Sequence, residues 1–187
     1  MYPISITQNE KVDNFINTLS PLVVNEYIRR KKRNEKVITP ATVLAQAALE
    51  SGWNLDAPTL FGIKGDGVIA DTQEYIDGAY INIEASFQAY PTLADAVVGY
   101  YDLMQWENYD DATSAIDYEG ELEGLTNNIG LPYATAPDYK DICISIIKDF
   151  DLEKYTTYAR EQCNNQDVER EWTLVYEDEI TKLYRRI

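Results

Sequence analysis

Apolar residues recur every three or four positions over most of the chain, and polar residues occupy the opposite faces. This spacing is typical of amphipathic helices that bury one face. In the first such segment, Phe15, Ile16 and Leu19 form the inner face. The pattern predicts helices over residues 7–19, 21–33, 40–51, 93–106, 121–128 and 137–150.

Residues 71–84 follow another pattern, in which apolar and polar side chains alternate around Asp77-Gly78. An Asp-Gly pair between two such runs predicts a β-hairpin with a type I′ turn. The two-residue turn places Glu74 opposite Ile81. Because side chains alternate, Glu74 lies on the apolar face of the hairpin, and the other hairpin carboxylates lie on the polar face.

Together these elements predict an α+β fold, with a mostly helical body and a small antiparallel β-hairpin lobe inserted after the third helix. A helical body with a β-lobe leaves a cleft between the two. We expect Glu50 on one wall of this cleft and the hairpin on the other.

The helix over residues 40–51 carries the strongest candidate for chemistry. Thr39 as the N-cap and Pro40 as the first helical residue favour its start, and Gly52 favours its end. Glu50 lies in its last turn on an apolar stripe. Burial and the negative end of the helix dipole both raise the pKa of a carboxyl group. Glu50 is therefore a candidate general acid for glycoside cleavage, which needs a carboxyl group that holds a proton near neutral pH.

Glu74 is the natural second carboxylate, because its side chain is predicted to face the cleft. There it could activate a water molecule or stabilise an oxocarbenium ion. The alternative is an edge-strand glutamate that only discourages sheet pairing. Glu84 is the fallback on the same hairpin, and Asp71 is a weaker candidate. A separation of roughly 6.5–9.5 Å between the two carboxyl groups would indicate inversion, and about 5–5.5 Å would indicate a nucleophile.

Several of the 15 tyrosines lie in segments that should line the cleft. Aromatic faces stack on sugars, and phenolic hydroxyl groups form hydrogen bonds with them. Most of the tyrosines are nevertheless expected to be half-buried core residues. Trp53 could also help to desolvate the acid. The candidate substrate-binding residues are Trp53, Phe61, Tyr75, Tyr90 and Tyr139.

The composition narrows the function classes. The chain has 187 residues and a formal net charge of −16, which argues against nucleic-acid binding and against adhesion to anionic lipids or wall polymers. It contains no histidine, which excludes His-based catalytic triads and His metal sites. Cys143 and Cys163 do not make a disulfide framework, and the sequence leaves open whether both are free.

The sequence predicts a catalytic domain over residues 1–155 and a helical extension over residues 156–187. Apolar residues of the extension, such as Trp172 and Leu183, recur at helical spacing and either pack on the domain or contact a partner. The N-terminus lacks a basic region followed by an apolar region, so we expect no signal peptide. No apolar run reaches about 18 residues, so we expect no membrane insertion.

Several motifs resemble the family 73 glycoside hydrolases, the N-acetylglucosaminidases of bacterial peptidoglycan, over about residues 38–150. Their order and spacing together are specific, whereas any single motif would be a weak signal. Ala136 stands where the family usually has Asp, Asn54 where it often has Gly, and Gln88 where it usually has Arg, which affects loop geometry and subsite contacts. The motifs are Ala45-Gln46-Ala47-Ala48-Leu49-Glu50-Ser51-Gly52-Trp53, Leu60-Phe61-Gly62-Ile63-Lys64-Gly65, Thr72-Gln73-Glu74-Tyr75, Phe87-Gln88-Ala89-Tyr90-Pro91 and Tyr133-Ala134-Thr135-Ala136-Pro137-Asp138-Tyr139.

The resemblance implies a lysozyme-like fold and cleavage of the bond that follows N-acetylglucosamine in the glycan strand. It implies that Glu50 is the general acid, Glu74 the second carboxylate and Tyr133 an active-site residue. It also implies that no metal or organic cofactor takes part. The role of the second carboxylate is open in this family, and the acetamido group of the substrate could assist instead.

Two other functions remain open at the level of sequence. One is a muramidase or lytic transglycosylase on a similar fold, and a transglycosylase can work with Glu50 alone. The other is a non-catalytic wall-binding or virion module. Because no export signal is expected, we predict a phage or mobile-element protein such as an endolysin. It would reach the wall after holin-type release, or as part of a virion or of a secretion or conjugation apparatus. A partner in such an assembly could bind residues 156–187.

Overall fold

The structure, a computed structural model, describes residues 1–55, 59–76, 78–127 and 132–165. It confirms the predicted α+β fold of a helical body with one two-stranded antiparallel sheet among these residues. None of their helices is long and apolar enough to span a membrane. The elements are α1 (Glu10–Lys31), α2 (Pro40–Ser51), β1 (Lys64–Ile76), β2 (Ala79–Phe87), α3 (Leu93–Leu103), a 3-10 turn (Glu107–Tyr109), α4 (Asp110–Thr113), α5 (Tyr118–Thr126), α6 (Tyr139–Asp149) and α7 (residues 153–165).

The prediction of two helices over residues 7–19 and 21–33 is wrong, because α1 is one continuous helix that contains Pro21. An interior proline removes one backbone hydrogen bond and typically costs about 3 kcal/mol. Burial offsets this cost, since Phe15 and Leu19 before the proline and Val23 after it are at most 1% exposed. Both halves of the helix therefore bury one common face, and the chain stays helical across the proline.

Helix α2 is the centre of the body and packs on α1, α5 and α6. Every residue from Pro40 to Ala48 is buried. Its N-terminal N–H groups cannot reach water, so other elements satisfy them. Glu121 of α5 accepts from the N–H of Thr39 at 2.9 Å, and Thr156 of α7 accepts from the N–H of Ala41 at 3.1 Å.

The predicted ends of α2 are confirmed. The helix starts with Pro40 at its first position, and it ends at Gly52, which has φ 60°. The side chain of Thr39 makes no cap hydrogen bond within the helix and instead donates to Glu121 at 2.6 Å. Glu121 therefore accepts from both the N–H and the hydroxyl of Thr39 and satisfies the donors at this end of the helix.

The predicted hairpin register is confirmed. Glu74 opposes Ile81, Tyr75 opposes Tyr80, and the strands extend beyond the predicted runs. Asp77, which determines the turn type, lies outside the described residues. The apolar face of the hairpin is not part of the core, since Ile81 is 43% exposed.

Helix α7 crosses the predicted domain boundary at residue 155. Tyr155, Thr156 and Ala159 are fully buried, and Thr156 caps α2. The core of the domain therefore continues through α7. Residues 166–187 of the predicted extension lie outside the described residues.

Candidate active site

Glu50 lies in the last turn of α2, at the point where the central helix reaches the surface. The residue is accessible to solvent, although protein surrounds most of its carboxyl group. This desolvation raises the pKa of Glu50 to about 7, and a hydrogen bond from the Tyr139 hydroxyl to Oε1 at 3.0 Å lowers it in part. An accessible carboxyl group with a pKa near 7 can deliver a proton at neutral pH.

The accessibility of Glu50 distinguishes it from a second carboxyl group whose pKa is raised. Burial also raises the pKa of Glu121 to about 7. Glu121 is only 2% exposed, however, and its oxygens accept hydrogen bonds from Thr39 and Thr42. Glu121 thus has a structural role despite its raised pKa, whereas Glu50 is accessible and can contact a substrate.

Gly62 lies directly against the second oxygen of the acid. A Cβ atom at this position would be 2.7 Å from Glu50 Oε2, and the backbone has a φ of 60°. Both features favour glycine, since a side chain would clash with the acid and L-residues rarely adopt this φ. Gly62 therefore lets the backbone of this turn lie close to Oε2.

Tyr133 holds the turn that contains Gly62. Its hydroxyl donates to the carbonyl oxygen of Phe61 at 2.5 Å. The rings of Tyr133 and Tyr139 are 6.2 Å apart, and burial, followed by the negative charge of Glu50, raises the pKa of Tyr133. The structure thus brings Glu50, Tyr133 and Tyr139 together.

Glu74 lies on β1 and forms an ion pair with Lys64 of the same strand. Its side chain is 22% exposed and that of Lys64 is 64% exposed. In the described part of the chain, no hydrogen bond or ion pair joins Glu74 to Glu50. The fallback Glu84 is exposed and lies opposite Asp71.

Tyr75 lies on the hairpin wall next to the segment that carries Tyr133. Its ring packs on that of Tyr80 at 5.1 Å, and its N–H donates to Thr135 at 3.2 Å. The Tyr80 hydroxyl donates to Asp138 at 3.4 Å. These contacts join the hairpin to residues 132–139. Tyr80 is 54% exposed and was not among the candidates, although its register opposite Tyr75 could have indicated it.

The structure corrects the predicted role of Phe61. The residue is 2% exposed, and its ring packs on Tyr100 at 4.7 Å, so it cannot stack on a sugar. Its contribution to the site is its carbonyl oxygen, which Tyr133 binds.

Trp53 and Tyr90 also make packing contacts. The Trp53 ring packs on Phe15 at 5.4 Å and on Phe150 at 4.7 Å. The Tyr90 ring lies directly against Gly99, where an added Cβ would be 2.4 Å from the ring. Both rings therefore stabilise the helical body.

Two residues that sequence reasoning missed stand behind Glu50. Gln46, one helical turn earlier, donates to the Tyr139 hydroxyl at 3.1 Å, and Tyr100 donates to Gln46. The sequence could have indicated Gln46, since it is a polar residue on the buried face of α2. No group of three or more Cys, Asp or Glu in the described ranges is placed to bind a metal.

Comparisons with known proteins identify relatives of this chain. A model of the family described as mannosyl-glycoprotein endo-beta-N-acetylglucosaminidase matches residues 25–152. The exo-glucosaminidase LytG of Bacillus subtilis is 30% identical over 133 residues, which are 63% of this chain and 46% of LytG. A probable N-acetylmuramidase of Lactococcus lactis is 28% identical over 134 residues, which are 62% of this chain and 30% of that protein. The chain thus spans less than half the length of these curated relatives.

A solved structure shows the same fold. The crystal structure of a peptidoglycan hydrolase mutant from Sphingomonas sp. A1 matches with a TM-score of 0.61 and 26% identity. The match covers 78% of this chain and 98% of that one.

Proposed function

Because the chain belongs to the glucosaminidase family, we propose that it is a peptidoglycan hydrolase that cleaves the glycosidic bond following N-acetylglucosamine. The observation that carries this proposal is the accessible Glu50 carboxyl group with a pKa raised to about 7. Glycoside hydrolysis needs a carboxylic acid of this kind to protonate the leaving oxygen.

In the proposed reaction, Glu50 donates its proton to the glycosidic oxygen as the bond to the sugar carbon breaks. Positive charge then develops on the sugar ring. Glu74 is our candidate for the second carboxylate, which either activates a water molecule or stabilises this charge. Lys64 orients the Glu74 carboxylate through their ion pair. The acetamido group of the substrate is the alternative source of that stabilisation.

Substrate contacts are proposed for the hairpin wall and the segment beside it. Tyr75 and Tyr80 present partly exposed rings on the hairpin face opposite to Glu74, so we propose that they pack on sugars at a separate subsite from the one that Glu74 contacts. Tyr133 and Tyr139 shape the site through their hydroxyl groups, by holding the Gly62 turn and the acid. Tyr133 is therefore proposed as an active-site residue that acts through the main chain.

A muramidase is the second candidate function, because a relative is named a probable N-acetylmuramidase. Both activities would use the same acid and differ in which sugar carries the new reducing end. A lytic transglycosylase would leave anhydro-muramic acid, and a non-catalytic wall module would leave the glycan intact.

The experiment is mass spectrometry of purified peptidoglycan digested by the wild type and by Glu50→Gln. We expect N-acetylglucosamine at the new reducing ends with the wild type, and a loss of at least about 100-fold in rate with the variant. Thermal melts of both proteins control for folding. Equal digestion by both proteins would refute the role of Glu50, and muramic acid at the new ends would establish the muramidase.

We also propose how the protein reaches its substrate. A net charge of −16 weakens adhesion to anionic wall polymers, so a partner would supply targeting. Holin-type release, a virion, or a secretion or conjugation apparatus would provide such a context, and residues 166–187 would form the contact. Deleting these residues should abolish co-purification with the assembly and leave hydrolysis of isolated peptidoglycan intact.

A further inference from the structure

We propose that Gln46 and Tyr100 are positioning residues, which act through Tyr139 to determine on which oxygen the Glu50 carboxyl group holds its proton. The inference rests on the proposed function, because it assigns a purpose to the orientation of the acid. It concerns residues that do not touch the space where a substrate would bind.

The observation is a continuous chain of hydrogen bonds behind the acid. The Tyr100 hydroxyl of α3 donates to Gln46 Oε1. Gln46 Nε2 donates to the Tyr139 hydroxyl oxygen at 3.1 Å, and that hydroxyl donates to Glu50 Oε1 at 3.0 Å. Tyr100 and Gln46 are fully buried and Tyr139 is 5% exposed, so water does not compete for these bonds.

The direction of the chain depends on Tyr100. A glutamine side chain has one accepting end and one donating end. Because Tyr100 donates to the oxygen of Gln46, the amide nitrogen has to face Tyr139. Tyr139 then accepts from Gln46, and its own hydrogen is directed to Glu50.

The consequence is a difference between the two oxygens of the acid. Oε1 accepts a hydrogen bond from Tyr139, so the proton of the neutral carboxyl group belongs on Oε2. Oε2 is the oxygen that faces Gly62, whose lack of a side chain lets the backbone lie close to it. The chain of hydrogen bonds therefore keeps Oε1 occupied and leaves Oε2 to carry the proton that Glu50 donates.

The ionisable groups that interact with Glu50 in the described residues are Tyr139 and Cys143 of α6 and Tyr133 of the segment before it. Burial raises the pKa of each of the three, so they remain neutral at the pH where Glu50 titrates. A change in the pKa of Glu50 in a variant of the chain thus reports on hydrogen bonding.

The test uses Tyr100→Phe, Tyr139→Phe and the control Tyr101→Phe. Tyr101 is the next residue of α3 and is equally buried, and its hydroxyl donates to Ile38 at 3.0 Å, outside the chain. Each variant keeps its ring and loses one buried hydroxyl. The pKa of Glu50 is read from the carboxyl carbon resonances of labelled glutamate, assigned by the signal that Glu50→Gln lacks.

We expect Tyr139→Phe to raise the pKa of Glu50 by about one unit, because the ionised form loses a donor. Tyr100→Phe should raise it in the same direction by about half a unit, since the Gln46 amide can then turn and accept from Tyr139. The double variant should match Tyr139→Phe alone, because both changes interrupt one route. The alkaline limb of the pH–rate profile should move upward with these values.

Equal pKa values of Glu50 in Tyr100→Phe and Tyr101→Phe would overturn the inference. So would additive effects in the double variant. Because the resonance titration does not depend on turnover, it separates the two proposals. If Tyr100→Phe and Tyr139→Phe shift the pKa of Glu50 as expected but the protein does not digest peptidoglycan, the proposed function is refuted and the inference about hydrogen bonding stands.

Discussion

Replacing Gly62 with alanine tests whether the position of the Glu50 carboxyl group controls activity. The added Cβ would be 2.7 Å from Oε2, whereas an ordinary contact needs about 3.4 Å. The carboxyl group or the turn therefore has to move by about 0.7 Å. A displacement of about 1 Å can cost about 100-fold in rate, so we expect kcat/KM to fall by about 10- to 100-fold.

Gly52→Ala is a matched control for the strain of placing alanine in a left-handed backbone conformation. Gly52 and Gly62 both have φ 60°, but a Cβ at Gly52 would meet no atom within 4 Å. Each variant should lose about 1–2 kcal/mol from the left-handed conformation, or about 2–8 °C in Tm. Only Gly62→Ala adds the clash with Glu50.

The assay is release of reducing ends from purified peptidoglycan, together with thermal melts of both variants. We expect similar losses of Tm and a loss of activity that is confined to Gly62→Ala. Wild-type activity in a folded Gly62→Ala would refute the steric argument. Equal losses of activity in the two variants would show that backbone strain, and not contact with the acid, is responsible.

Three further predictions follow from burial and charge. The pKa of Glu121 is raised from 4.5 to about 7, so its contribution to stability is complete below about pH 4.5 and is lost as the pH rises through about 7. In urea unfolding, the free energy of unfolding of the wild type should therefore fall between pH 5 and pH 8 by up to about 3 kcal/mol more than that of Glu121→Gln. Phe61→Leu should lower the free energy of unfolding by about 1 kcal/mol and leave KM unchanged, since its ring is in the core; a higher KM at equal stability would restore its predicted role in substrate binding. Glu74→Gln should lower kcat by at least about 10-fold if this carboxylate takes part in the reaction, and unchanged kcat would favour assistance by the acetamido group of the substrate.

Features that depend on neighbouring residues could be predicted from the sequence alone. The ends of α2 follow from Pro40 and Gly52, because local backbone preferences decide where a helix begins and ends. The hairpin register follows from a two-residue loop, because the loop length determines which residues pair. The position of Glu50 at the end of a buried helix is a consequence of the same local signals.

Tertiary packing decided the rest. Pro21 breaks the local preference for helix, and α1 continues through it only because both halves bury the same face. The surroundings of Glu50 come from residues far away in the chain, with Gly62 beside one oxygen and Tyr139 bonded to the other. Which aromatic rings are buried and which remain exposed also depends on contacts between distant segments. The sequence by itself determined the candidate acid and the elements that carry it, whereas the tertiary structure decided its pKa and its hydrogen bonds, because desolvation and donor geometry arise only when separate elements pack together.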